Sequence, residues 1–241
     1  MRERDVEPVL RPRKAAQKSY DRLSRWYDLI AASEEPFVDE GLAMLDSRDG
    51  ENVLEIGFGT GRALVELARG VGESGSVCGI DLSRKMVERS RRRIESAGHG
   101  DRVALTQGDA VRLPYANRAF DAVFTSFTLE LFSAQDLMAV LEECLRVLRP
   151  GGRIAAVSLS KEGGPYPMRR LYEVTRRLAP RLLDCRPIYT ARSLGQSGFD
   201  LTTVRTRRMW GMPVEHVLAA RPPLTDGNAG PPTRPGHVAR E

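Results

Sequence analysis

The residues that could do chemistry gather around three alternating glycines. Val53-Leu54-Glu55-Ile56-Gly57-Phe58-Gly59-Thr60-Gly61 is a short apolar run that ends in Gly-x-Gly-x-Gly. Glycines there let the backbone turn tightly and approach a ligand closely. Asp81 closes the next apolar run, 20 residues beyond Gly61. A carboxylate at that place can accept hydrogen bonds from ribose hydroxyls. The spacing differs from the Gly-x-Gly-x-x-Gly of dinucleotide folds, and Glu55 precedes the first glycine by two residues. That carboxylate would repel a pyrophosphate and would suit a ligand carrying an ammonium or sulfonium charge. The combination points to S-adenosylmethionine rather than a nicotinamide cofactor.

Two further segments fit such a ligand. In Gly108-Asp109-Ala110, Asp109 could reach an adenine amino group; its bland alternative is a turn-capping aspartate. Ser126 and Phe127 end the run Phe120–Phe127, beside the glycine loop; a serine there can also be satisfied by local backbone. Methyl transfer from a sulfonium needs mainly alignment and desolvation. A general base is needed only where the acceptor must lose a proton. Glu130, Tyr20, Tyr27, Tyr166 and His216 are the candidates. Glu130 is favoured as the substrate-facing residue, and His216 reads as structural. Tyr20 and Tyr27 pack by default, and as a lid could close over cofactor and acceptor. No His/Cys/Asp cluster has ligand spacing, so no metal is expected.

The elements that must position these residues alternate. The pattern predicts strands over 52–56, 76–80, 103–107, 119–126 and 153–159, separated by helices over 62–68, 83–97 and 134–148. Such alternation argues for a parallel sheet covered on both faces. Ser83 is a good N-cap and Gly98 a good stop. Before this core, 14–32 reads as an amphipathic helix and 37–45 as a second short one. After it come an amphipathic helix over 166–179, another near 190–197, and a closing hairpin of strands 201–209 and 214–219. The expected layout is a flexible 1–13, one domain over 14–221 with a helical lid (14–47 and 163–198), and a disordered tail over 222–241 rich in Pro and Gly.

The chain resembles a class I S-adenosylmethionine-dependent methyltransferase. The resemblance covers roughly residues 18–220. Besides the glycine loop it rests on Leu145-Arg146-Val147-Leu148-Arg149-Pro150-Gly151-Gly152, similar to that family's turn before strand five. More narrowly it resembles the ubiquinone/menaquinone-biosynthesis C-methyltransferases, through Tyr20-Asp21-Arg22-Leu23-Ser24-Arg25-Trp26-Tyr27-Asp28. The resemblance implies a Rossmann-like seven-stranded α/β sheet, mostly parallel with an antiparallel last strand. It implies cofactor contacts at Thr60, Asp81, Asp109, Ala110 and Ser126. With the loop and its neighbours, the expected cofactor shell is Tyr20, Tyr27, Glu55, Gly57, Gly59, Thr60, Gly61, Asp81, Leu82, Asp109, Ala110, Ser126 and Phe127. One departure bears on the acceptor: Glu130-Leu131 stands where the quinone enzymes typically carry Arg-Asn.

Composition narrows the class. The 241 residues are 41% hydrophobic and 29% charged, which excludes a disordered chain or coiled coil. No apolar run approaches the ~18–20 residues of a membrane span, and the charged N-terminus lacks a secretory h-region. The three cysteines, Cys78, Cys144 and Cys185, have neither zinc nor disulfide spacing, so a reduced cytoplasmic protein is expected. The net charge of +5 permits transient contact with a membrane surface. Arg91-Arg92-Arg93 reads as a solvated face, with Glu88–Arg92 an i,i+4 pair. The chain lacks the Asn/Asp-Pro-Pro-Tyr/Phe and Pro-Cys motifs of nucleic-acid methylation, and aromatics are only 6%, so no nucleic acid is expected. The expected partner is a small-molecule methyl acceptor, quinone- or phenol-like or another biosynthetic compound. An amine or phospholipid N-methyltransferase, a nucleic-acid methyltransferase and a non-catalytic cofactor-binding module are the alternatives.

Overall fold

The computed structural model describes residues 24–162 and 186–223. The expected helix over 166–179, with Tyr166, lies outside them, as do Tyr20 and residues 224–241 of the expected tail. Helix α1 (Ser24–Leu45) leads into β1 (Asn52–Ile56), α2 (Arg62–Gly70), β2 (Ser76–Asp81), α3 (Arg84–Ser96), β3 (Val103–Gln107) and β4 (Phe120–Ser126). A 3-10 turn (Leu129–Leu131) follows, then α4 (Ala134–Val147), β5 (Leu148–Leu159), α5 (Thr190–Gln196), β6 (Asp200–Met209) and β7 (Met212–Ala220).

The strands form one sheet in the order β3-β2-β1-β4-β5-β7-β6. β1 to β5 pair in parallel, and β7 runs antiparallel to both neighbours. Phe37, Leu45, Leu64, Leu67, Val87, Ile94, Phe124 and Val157 pack on one face, beneath α1, α2 and α3. Leu137, Leu141, Cys144 and Leu194 pack with Val123 and Ile154 on the other, beneath α4 and α5. Cover on both faces explains why β1 and β4 are buried along nearly their whole length, Glu55 and Asp121 included. β1 is flanked by β2 on one side and β4 on the other, so the chain reverses direction across the sheet there. Open α/β sheets bind ligands at such a crevice, beyond the carboxyl ends of the strands.

Four expectations are corrected. The two N-terminal helices are one: α1 runs through Pro36 without a break. Pro36 removes one backbone donor but faces solvent, while Phe37, Gly41 and Leu45, spaced by four, are buried against the sheet. Packing of that stripe outweighs the proline penalty. Second, β5 begins at Leu148, and Pro150-Gly151-Gly152 is a bulge within it. Its backbone is satisfied from the residue just past β7: the Gly151 N–H donates to the Arg221 carbonyl at 3.0 Å and the Arg221 N–H to the Gly152 carbonyl at 2.7 Å. Third, the β6–β7 connection is a two-residue turn rather than four. Trp210 (φ 50) and Gly211 (φ 80) both lie in the left-handed region, the mark of a type I′ turn. Fourth, the ion pair on α3 is Arg84–Glu88 at 3.0 Å, the i,i+4 partner on the N-terminal side of Glu88.

Ser83 caps α3, accepting from the Met86 N–H at 3.4 Å, and Gly98 ends it at φ 75, both as the sequence indicates. No helix of the described residues is long and apolar enough to cross a membrane.

Candidate active site

The glycine loop joins β1 to α2 at the crevice. Gly57, Gly59 and Gly61 have φ of 73, 50 and 76, a conformation that favours glycine. The loop is fastened from three directions. The Gly57 N–H donates to the Ile80 carbonyl at 2.8 Å, at the end of β2. The Gly59 N–H donates to Asp81 Oδ2 at 2.9 Å. The Ser90 hydroxyl, fully buried on α3, donates to the Gly59 carbonyl at 2.9 Å. The Thr128 hydroxyl donates to the Ser126 carbonyl at 2.9 Å and sits 3.3 Å from that of Gly57. A side chain at Gly57 would strike Thr128, and one at Gly61 would strike Ser90. Space around the loop is therefore reserved on its protein side.

Two carboxylates flank it. Glu55, on β1 between Gly79 and Phe124 of the neighbouring strands, is 2% exposed, and its Oε2 has no hydrogen-bond partner. Burial, with the Asp81 charge added, pushes its carboxyl up to about 8. Burial also raises Asp81, against the pull of the Ser83 and Gly59 N–H groups on its oxygens. A buried carboxylate oxygen without a donor is costly. A positively charged ligand group at this place would remove the cost. The residues present therefore fit S-adenosylmethionine, whose ammonium and sulfonium are cations.

The other expected shell residues fall on the same edge of the sheet. Thr60 lies within the loop. Leu82 follows Asp81 and is 40% exposed, an apolar side chain beside the crevice. Asp109 follows β3 and accepts the Val111 N–H at 3.2 Å, so the turn-capping reading holds for one of its oxygens. Ala110 behind it is buried. Ser126 ends β4, and Phe127 follows at φ 47, its N–H donating to Val157 at 2.8 Å. Tyr27 is on α1, in the turns ahead of the docked stripe.

Glu130 sits differently from a surface acid facing an open mouth. It is fully buried in the turn after β4. Its Oε1 accepts the Leu159 N–H at 3.2 Å, extending the β4–β5 ladder with a side chain, while Oε2 has no partner. Burial pushes its carboxyl up to about 8, with the Glu34 charge contributing. His216 is structural, as read: fully buried, Nε2 3.0 Å from the Phe37 carbonyl, and stacked on the Phe37 ring.

Sequence reasoning missed Ser90, Thr128 and Glu34. Ser90 had a signal, since it interrupts the buried stripe Val87–Ser90–Ile94 of α3. Glu34 had one too, heading the stripe of α1. Thr128 had none, because only the fold brings it to Gly57.

Residues 53–152 match a family described as a methyltransferase domain. The chain is 27% identical over 154 residues to a demethylmenaquinone methyltransferase of Desulfitobacterium hafniense, covering 62% of this chain and 60% of that one. It is 35% identical over 121 residues to the enzyme of that name from Lactobacillus johnsonii, covering 50% and 49%. The chain thus spans about half to three fifths of the length of these relatives. Its fold is similar to that of a SAM-dependent methyltransferase from Aquifex aeolicus, with a TM-score of 0.56 and 23% identity over 76% of this chain and 88% of that one. The glycine loop, Asp81 and β4 all lie within the matched span, which is similar to a methyltransferase domain, and the sheet order is set in a fold similar to that of the solved methyltransferase.

Proposed function

We propose that this chain transfers a methyl group from S-adenosylmethionine to a small-molecule acceptor of quinone- or phenol-like chemistry. The carrying observation is the unpartnered, buried Oε2 of Glu55 beside three left-handed glycines and Asp81. Bound there, the cofactor would supply an activated methyl group. Asp81 would accept its ribose hydroxyls while keeping the Gly59 and Ser83 N–H groups, since an ionised carboxylate has about four lone-pair sites. Glu55 would balance its positive charge. Asp109 would stand beside its adenine. Ser126 and Phe127 would form the edge past which the acceptor approaches.

The relatives named for demethylmenaquinone support an acceptor of the quinol class. Glu130 stands where the resemblance would place a cation, so an acceptor on this side of the crevice would lie near a buried carboxyl group rather than an arginine.

Calorimetry with S-adenosylmethionine tests the cofactor. Methyl-labelled cofactor offered with quinol, phenol, amine and phospholipid acceptors tests the class. Binding with label transfer to a quinol or phenol is expected. No binding would remove the methyltransferase reading, and transfer to phospholipid alone would remove the acceptor class.

A further inference from the structure

The turn between β6 and β7 breaks the local rule for its kind. A two-residue turn with both residues in the left-handed region favours Asn-Gly. Here the first residue is Trp210, at φ 50, a backbone that a bulky side chain adopts only at a cost. The same side chain is 61% exposed, the most of any large apolar residue described. Neither burial nor backbone preference accounts for a tryptophan at this place.

The turn stands at the edge of the sheet that holds the glycine loop. β7 runs against β5 with Val214 opposite Leu159, so it starts beside the carboxyl end of β5, which is parallel to β4 and β1. There the Ser160 N–H donates to the Pro213 carbonyl at 2.8 Å. β4, β5 and β7 lie between β1 and β6, so at the usual strand spacing the turn is roughly 15–20 Å along this edge from the crevice.

Cations surround the tryptophan. Arg205, Arg207 and Arg208 are exposed on the second half of β6. Arg205 and Arg207 share the face of α1, where Glu40 holds them at 3.8 and 2.8 Å, and alternation puts Arg208 on the opposite face. Lys161 follows β5 at the same edge, and Arg192 is on α5; both lie against the Tyr189 ring. Glu40 and Glu162 are the acids paired with these cations, and the cations outnumber them.

We infer that this hairpin end docks on an anionic lipid bilayer, with the Trp210 ring at the level of the headgroups and the arginines against lipid phosphates. An indole suits that layer, since its body is apolar and its N–H finds a polar partner. Basic side chains beside it add attraction to anionic lipid. A second copy paired along β6 would set arginines near arginines, which resists self-association. A single ring on a two-residue turn is also far short of the roughly 800 Å² a side of a stable protein interface. Docked this way, the crevice edge faces the bilayer, where an apolar acceptor would dissolve. That use rests on the methyltransferase reading; the docking itself does not.

The test is co-sedimentation of the full chain with vesicles. Vesicles of phosphatidylglycerol and phosphatidylcholine in equal parts should bind it, and phosphatidylcholine alone should bind it roughly tenfold more weakly. Added salt should release it. Trp210→Asn should lower partition onto the anionic vesicles roughly tenfold, as for one large apolar side chain left unburied. It should melt no lower than wild type, because asparagine accepts the left-handed turn. Arg208→Gln reads the same surface without touching the turn, and should lower partition roughly fivefold. A wild type that stays in solution with both vesicles overturns the inference, as does undiminished binding by both variants. A dimer in sedimentation velocity that Trp210→Asn dissociates overturns it too, by giving the tip to a second copy. Neither cofactor nor acceptor enters this assay, so its failure leaves the methyltransferase reading in place. Failure to bind S-adenosylmethionine would remove only the use of the docking for an acceptor.

Discussion

Asp81 grips the backbone of Gly59: the glycine N–H donates to Oδ2 at 2.9 Å, while Oδ1 holds the Ser83 N–H at 2.8 Å. One carboxylate thus ties the β1–α2 loop to the start of α3. The residue expected to bind ribose also shapes the loop. Asp81→Ala should therefore weaken S-adenosylmethionine binding by about 1–3 kcal/mol, the usual cost of losing hydrogen bonds to a charged group. It should lower the unfolding midpoint as well. Calorimetry and denaturant melts measure the two effects, and unchanged affinity would remove the ribose role.

Gly61→Ala tests the protein side of the loop. Its φ of 76 costs an alanine about 1–2 kcal/mol. The new Cβ would also stand 2.7 Å from the Ser90 Cβ. Lower stability and weaker cofactor binding are both expected. Ser90→Ala, which removes only the hydrogen bond to Gly59, should cost about 1 kcal/mol. If both variants bind cofactor normally, the loop is only a turn.

Glu55 and Glu130 give a pH signature. Both are pushed from 4.5 up to about 8 in the folded chain. The folded state then binds more protons than the unfolded one across that window. Their contribution is most favourable below the ordinary carboxyl range and is lost as pH rises towards 8. Each group changes stability by at most about 1.4 kcal/mol per pH unit. Denaturant unfolding at acidic and mildly alkaline pH should show a flatter dependence for Glu55→Gln and Glu130→Gln than for wild type. Equal slopes would mean that neither carboxyl is raised.

Arg153 anchors the far edge of the sheet. Its guanidinium binds both oxygens of Glu51, at 2.7 and 2.8 Å, and the Leu45 and Asp46 carbonyls, each at 2.6 Å. Arg153→Met would strand a largely buried Glu51 and free the end of α1. A loss of about 2–3 kcal/mol is expected, with cofactor affinity unchanged because the loop lies at the opposite edge. Weaker binding by calorimetry would show that the two edges are coupled.

The proposed cofactor half of the candidate site was legible because local rules govern it. Alternating glycines, an acid at the end of a strand and a serine cap are all written within a few residues. The acceptor half was not. Glu130 was visible as an acid after β4, but its bond to Leu159 depends on the β4–β5 register. Glu34 and Phe37 fell on either side of an apparent break at Pro36. The proline was read by its local penalty, whereas the stripe from Phe37 to Leu45 packs on four-residue spacing and carries the helix through it. The β5 bulge was hidden for the same reason, since its donors come from Gly151 and Arg221, far apart in sequence.

Phe37 is where these halves meet, and it supports the last prediction. Its ring lies edge-on to Phe127, stacks on His216 at 5.9 Å, and carries the Arg207 guanidinium 5.7 Å from its centre. Its carbonyl meets His216 Nε2. Phe37→Ala should cost about 3–4 kcal/mol, from lost burial and the cavity left behind. Phe37→Leu should cost less, because it refills most of that volume. The functional effect should be uneven. Loosening α1 disturbs the Phe127 segment after β4, whereas Gly57, Gly59 and Asp81 are held by β2, α3 and Thr128. At a temperature where Phe37→Leu stays folded, kcat should fall several-fold while S-adenosylmethionine affinity stays within about twofold. A matched fall in affinity would instead place α1 against the cofactor, and an unchanged kcat would show that its docking does not bear on the acceptor.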